Sequence, residues 1–215
     1  MEFFYFYRMQ NIQTLIFDFG GVIINIKSEP DWLQQDLLPH FRREPLLQLY
    51  EAGYFNDLET GRLLPQEFLH KMQSIALQED VGEMWVKQHW NAILKDIPAY
   101  RVDLLRRLRQ KYRLILLSNT NAIHVESFQQ YMHQTFKEDI LQTNFHTVYY
   151  SQEIGMRKPG REIYEYVLQQ QGIRPEETIF FDDRPENLTE PQKLGLQTYQ
   201  VNFNKLSIND LQHLL

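Results

Sequence analysis

The chain of 215 residues contains no cysteine, so no disulfide framework, cysteine-ligated zinc, iron–sulfur cluster or thiol nucleophile is available to it. Glycine and proline number only nine each, which excludes collagen-like and low-complexity architectures. No apolar run approaches the roughly 18 residues of a membrane span. The start, MEFFYFYRMQ, lacks the basic region and small-residue cleavage site of a secretory signal. Met9 precedes the first clear strand and is a candidate start, with residues 1–8 an upstream extension; the alternative is an extra edge strand packed by its aromatic face. Absence of cysteine fits a reducing compartment, and a cytoplasmic location is expected.

A basic excess is also missing. Lys and Arg total 22 against 28 Asp and Glu, a formal net charge of −6. The one basic stretch, RVDLLRRLRQKYR at 101–113, has its Leu and Val at helical spacing, so its cations read as a solvated helix face. Nucleic acid is therefore not an expected partner. The hydrophobic fraction of 43% is too high for a disordered chain and suits one core, or one core with an insertion.

What is present is an alternation of short apolar runs with amphipathic helices. The runs are 14–18, 113–117, 146–150, 178–181 and 197–201. Runs of four or five apolar residues suit strands buried on both faces of a parallel sheet. Helices are expected from Pro98 to Lys111, from the N-cap Asn121 to Tyr131, and from Pro159-Gly160 to Gly172. The fold class predicted is α/β, a Rossmann-like doubly wound parallel sheet. Residues 29–95 break the rhythm, holding apolar stripes around Trp32, Phe68, Trp85 and Trp90 but no convincing strand. They read as a helical insertion, with 1–28 and 96–215 forming the core.

Ligands of open parallel sheets bind at the carboxyl ends of the strands. Asp18 ends the first run, Ser118 follows the second, and Asp182-Asp183 ends the fourth; Lys158 opens the helix after the third. Adjacent carboxylates repel unless a cation lies between them. Oxygen ligands suit Mg²⁺, which keeps waters and takes substrate phosphate. A carboxylate can attack phosphorus to form an aspartyl-phosphate, and Lys and Ser beside it can hold the phosphoryl oxygens. The residues alone therefore suggest metal-assisted phosphoryl transfer.

FDFGGVI at 17–23, LLSNTN at 116–121, GMRKP at 155–159 and FFDDRPENL at 180–188 together resemble the haloacid dehalogenase-like hydrolase superfamily, subfamily I. The last three, with Glu59-Thr-Gly61, are similar to the α-D-glucose-1-phosphate phosphatase branch, near the phosphatase domain of epoxide hydrolases. The resemblance implies Asp18 as nucleophile and Mg²⁺ ligand, the Gly20 carbonyl and Asp183 as further ligands, and Asp182 at the metal site behind these ligands or bonded to the ion through water. It implies Ser118 and the Asn119 backbone as phosphoryl holders, Lys158 as partner of Asp18 and phosphate, Asn187 as support of the metal loop, and Glu59 in a cap loop facing the substrate. The expected substrate is a small phosphate ester, and the expected state a monomer or weak dimer.

One departure matters. Most phosphatases of this superfamily carry an acid/base Asp where this chain has Gly20, a group worth about 10²–10⁴-fold. Three expectations follow: substrates with good leaving groups, such as anomeric sugar phosphates; a proton supplied by His124, Glu59 or Asp182; or a phosphometabolite-binding or regulatory protein with a relict site. Carbon–halogen hydrolysis is the other enzymatic alternative, but Lys158 with an intact Asp182-Asp183 favours the metal chemistry.

Overall fold

The computed structural model describes residues 11–207 and Leu211. The reading of residues 1–8 as an extension or an edge strand falls outside them. Five strands appear where the apolar runs predict them: β1 (Thr14–Phe17), β2 (Arg113–Ser118), β3 (Thr147–Tyr150), β4 (Thr178–Asp182) and β5 (Gln197–Gln200). They pair in parallel in the order β3-β2-β1-β4-β5, a Rossmann-like arrangement. Side-chain alternation divides the sheet between two apolar clusters. Leu15, Phe17, Leu114, Leu116, Ile179 and Phe181 enter one. Ile16, Ile115, Leu117 and Phe180 enter the other. All ten are at most 4% exposed, which is why the strands show no polar alternation.

Helices α1 (Glu29–Trp32, continued by a wider turn over Leu33–Leu37), α2 (Arg43–Glu51), α3 (Tyr54–Glu59), α4 (Pro65–Ser74) and α5 (Glu83–Trp90) occupy residues 29–95, within the stretch between β1 and β2. Pro65 opens α4, where its missing N–H costs nothing. These short helices enclose an aromatic cluster. The Trp90 ring lies 4.4 Å from Phe68 and 4.8 Å from both Phe55 and Trp32, centroid to centroid. Trp32 and Trp90 are buried and Trp85 is half-buried, as their helical spacing predicts. Ile123, from outside this stretch, completes the cluster.

The remaining helices are α6 (Ala99–Arg109), α7 (Ala122–Phe136), α8 (Ile140–Asn144), α9 (Ser151–Ile154), α10 (Arg161–Gln171) and α11 (Thr189–Lys193). The Asn121 side chain caps α7 by accepting from the N–H groups of Ile123 and His124, both at 3.1 Å. This helix runs five residues beyond its expected end, because Met132 is buried and Phe136 meets Tyr131 edge to face. Gly172, left-handed at φ 58°, ends α10 as expected.

One expectation is overturned. Arg101 does not join the solvated basic face of α6; it is 1% exposed and donates to the carbonyls of Ile23, Leu206 and Asn204 and to Asn25 Oδ1. Helical spacing cannot separate such an arginine from its exposed neighbours, because its partners lie 76 to 105 residues away. Among the described residues, no helix is long and apolar enough to cross a membrane.

Candidate active site

The strand order reverses between β1 and β4, and this switch point is where an open parallel sheet leaves a crevice. Asp18 follows β1, with its N–H on the Phe181 carbonyl at 2.8 Å; Asp182 ends β4 and Asp183 follows. The adjacent pairing of β1 and β4 thus brings three carboxylates together from positions more than 160 residues apart in the chain. Each offers an oxygen within 4.8 Å of the others, the single such acidic group among the described residues.

Lys158, 1% exposed, bridges the cluster: its Nζ lies 2.6 Å from Asp18 Oδ1 and 2.8 Å from Asp182 Oδ2. The lysine is placed through its own backbone. Asn119 Oδ1 accepts from the Lys158 N–H, and Asn119 Nδ2 donates to the Lys158 carbonyl, both at 2.9 Å. The Asn119 side chain is thereby committed to the lysine loop. Asp182 is held equally firmly: Asn187 Nδ2 donates to both of its oxygens, at 3.0 and 3.1 Å, and the Arg184 N–H donates to Oδ1 at 2.9 Å. The Asn187 carbonyl in turn accepts from the Tyr164 hydroxyl at 2.8 Å. Ser118 is buried at the end of β2.

One ammonium faces three carboxylates, and the electrostatics follow. Burial pushes the Asp18 carboxyl up to about 7; Lys158 opposes this, and the negative charges of Asp182 and Asp183 add to it. Burial and Asp182 raise Asp183 to about 6. Burial would lower Lys158, but Asp18 and Asp182 outweigh it and the ammonium titrates above its ordinary value. The chemistry of this donor set fits a hard divalent cation: uncompensated carboxylate oxygens that ionise readily once positive charge is added.

The glycines explain how the loops close. At Gly21 (φ +76°) an added Cβ would lie 2.8 Å from Asp183 Oδ2, so the carboxylate rests on the glycine backbone. An added Cβ at Gly20 would meet Ile26 Cδ1 at 3.3 Å. An apolar methyl therefore borders the place where an acid/base carboxylate would begin.

Of the three candidate proton donors, none stands free. His124 Nδ1 pairs with Asn91 Oδ1 at 2.7 Å, its ring stacks on Trp90, and burial lowers its pKa to about 3. Asp182 has both oxygens occupied. Glu59 Oε2 pairs with Arg157, at 3.1 Å from Nε and 2.9 Å from Nη2; burial raises its carboxyl despite that cation. Arg157 was not anticipated from sequence, although it adjoins Lys158. Ser151 was missed as well: its hydroxyl accepts from the Thr120 N–H at 3.0 Å and donates to the Glu59 carbonyl at 2.5 Å. Gly61 lies beside this junction; an added Cβ would stand 2.4 Å from the Gln152 carbonyl. The Glu59–Leu63 loop thus lies against the α9 segment.

A family model described as haloacid dehalogenase-like hydrolase matches residues 12–195. D-ribitol-5-phosphate phosphatase of Bacteroides thetaiotaomicron is 30% identical over 192 residues, covering 88% of this chain and 91% of its own length. A solved HAD family enzyme from Bacteroides thetaiotaomicron, in complex with magnesium and inorganic phosphate, superposes with a TM-score of 0.77 at 34% identity, over 91% of this chain and 96% of that one. A HAD-like hydrolase structure from Porphyromonas gingivalis gives a TM-score of 0.80 at 29% identity, with 95% and 98% of the two chains covered. Sequence match, fold and the carboxylate–lysine cluster agree: the chain belongs to the haloacid dehalogenase-like hydrolase family.

Proposed function

We propose that the protein is a Mg²⁺-dependent phosphatase of small phosphate esters that works through an aspartyl-phosphate on Asp18. The observation that carries this reading is the buried Lys158 shared between Asp18 and Asp182, with Asp183 beside them at the sheet's switch point. The similarity to a family enzyme solved with magnesium and phosphate supports it. Asp18, Asp183 and the Gly20 carbonyl would hold the ion, which when bound supplies positive charge against the phosphoryl oxygens.

The chain's own residues do the rest. Ser118 and the Asn119 backbone, at the end of β2, hold the phosphoryl group against Asp18. The Asp18 carboxylate attacks phosphorus while the bond to the leaving oxygen breaks. Lys158 offsets the charge on the equatorial oxygens. Water then attacks the phosphorus of the acyl phosphate, releasing inorganic phosphate and restoring Asp18. Residues 29–95 act as a cap over the core formed by the described residues of 1–28 and 96–215, and Glu59 at the end of α3 reads the leaving group. Closure around the ester would exclude bulk water.

Gly20, with Ile26 against it, supplies no proton to the leaving oxygen. Esters that leave without one, anomeric sugar phosphates and acyl or aryl phosphates, are therefore the favoured substrates. The same observation favours a second reading, a phosphometabolite-binding protein that no longer turns over.

A panel of phosphate esters graded by leaving group, assayed with Mg²⁺ beside Asp18→Asn and an EDTA control, tests both. Activity confined to good leaving groups and absent from both controls is the expected result. Equal activity on alkyl phosphates would reject the leaving-group reading. Mg²⁺ binding without any turnover would favour the binding protein, and turnover by Asp18→Asn would sink the mechanism.

A further inference from the structure

Asn204 belongs to none of the motifs, yet it makes four hydrogen bonds to the chain around the site. Its N–H donates to the Gly21 carbonyl at 2.7 Å. Its side-chain amide clasps the backbone of Ile26: Oδ1 accepts from the Ile26 N–H at 2.9 Å, and Nδ2 donates to the Ile26 carbonyl at 2.7 Å. Its own carbonyl accepts from Arg101 Nη2 at 2.6 Å. The residue is left-handed, φ 58°, a conformation that asparagine tolerates better than most.

The residues just before it hold the other half of the carboxylate cluster. The Val201 N–H donates to the Asp182 carbonyl at 3.0 Å, and Gln200 Nε2 to the Asp183 carbonyl at 3.3 Å. Phe203 packs so closely on Gly21 that an added Cβ there would lie 2.9 Å from its ring. One short stretch, 200–204, thus fastens both loops that carry the carboxylates. Arg101 anchors that stretch from below, giving its buried guanidinium to the Ile23, Asn204 and Leu206 carbonyls. A buried cation that takes neutral acceptors is costly unless the acceptors are rigidly presented, so the geometry of the whole clasp is specified.

We propose that Asn204 is a positioning residue for divalent-cation binding: by fixing Gly21 and Ile26 it sets the Gly20 carbonyl against the Asp183 carboxylate. This rests on the reading of Asp18, Gly20 and Asp183 as ligands. Asp183 Oδ2 and Phe203 leave no space at Gly21, so a displacement of the turn that carries Gly20 changes its distance to Asp183 directly. Positioning of this kind is commonly worth about 10–100-fold in metal affinity.

The test is Mg²⁺ titration by calorimetry, with MgCl₂ alone, of wild type, Asn204→Gly and Arg101→Lys. Asn204→Gly keeps the left-handed backbone and its N–H while removing the clasp on Ile26. Its Mg²⁺ affinity is expected to fall by about 10-fold or more. Arg101→Lys, which keeps the charge but loses the fork, should move the affinity the same way by a smaller factor, and it carries the test if the glycine variant does not fold. Val167→Ala, in the apolar cluster under α10, should lower the unfolding temperature and leave Mg²⁺ affinity unchanged. Wild-type affinity in Asn204→Gly, or an equal loss in Val167→Ala, overturns the positioning role while the metal site stands. Failure of the wild type itself to bind Mg²⁺ removes the underlying reading and this one with it.

Discussion

The sheet and the helices between β1 and β2 hide their apolar surface by different means. The sheet uses aliphatic and phenyl side chains that alternate between two faces, and it delivers polar residues to one end of the strands. The helical segment wraps short helices around tryptophan and phenylalanine rings and sets Glu59 against Arg157, the neighbour of Lys158. A strand fixes where its last residue lies to within the register of its neighbours. A short helix held by aromatic packing fixes its end less tightly. The carboxylate–lysine cluster therefore sits on the sheet, and the proposed function expects selection of the substrate from the helices.

The most severe way to break that division is Lys158→Met. It keeps the length but leaves Asp18 and Asp182 buried without their cation, a change of about 3–5 kcal/mol. Denaturant unfolding without Mg²⁺ should show the loss, and added Mg²⁺ should recover part of it; no recovery would mean that the lysine is a fold element rather than a charge partner. Phe68→Ala removes a fully buried ring of the aromatic cluster, the one that packs on Trp90, at a cost of about 3–5 kcal/mol. Near-ultraviolet circular dichroism should report loss of the tryptophan environment at a lower denaturant concentration than loss of the sheet. A single transition shifted as a whole would show that the two regions fold as one unit.

The seam between them carries a pH signature. The folded His124 ring titrates near 3 and the unfolded ring near its ordinary value of 6.5. Between those values the unfolded chain binds the extra proton, so stability falls as pH drops. From pH 7 to 5 the loss from this residue should reach about 2 kcal/mol, and His124→Asn should remove most of it. An unaltered pH dependence in that variant would place the titration elsewhere. The smallest effect is expected from Glu59→Gln. The Glu59–Arg157 pair is about a quarter exposed, 26% and 29% for the two side chains, and such pairs contribute at most about 1 kcal/mol to stability. A change in KM well beyond that would identify Glu59 as a group that touches substrate; an unchanged KM would remove it from the specificity loop.

The strands were legible because burial on both faces leaves no polar interruption, and their ends were legible because carboxylates and a lysine are expensive to bury without chemistry to perform. Asp18, Lys158 and Asp182-Asp183 come together as the strand rhythm implies, and Ser118 is buried at the end of the neighbouring β2. What the sequence hides is contact across long separations. Arg157 meets Glu59 across 98 residues, Asn204 meets Ile26 across 178, and Arg101 looks like any other cation of a basic helix until its acceptors are known. Local pattern carries periodicity and strand ends; it carries no record of which carbonyl a distant side chain will find.

Ile123 carries a consequence for protein engineering. It stands two residues after the cap of α7, five beyond Ser118, and its side chain belongs to the aromatic cluster on the other side of the junction. Transplanting a foreign set of helices into residues 29–95 would remove that socket and leave an isoleucine stranded at the head of the helix that follows β2. A chimera designed to change specificity has to exchange position 123 together with the graft, or accept a hole beside the loop that carries Ser118 and Asn119.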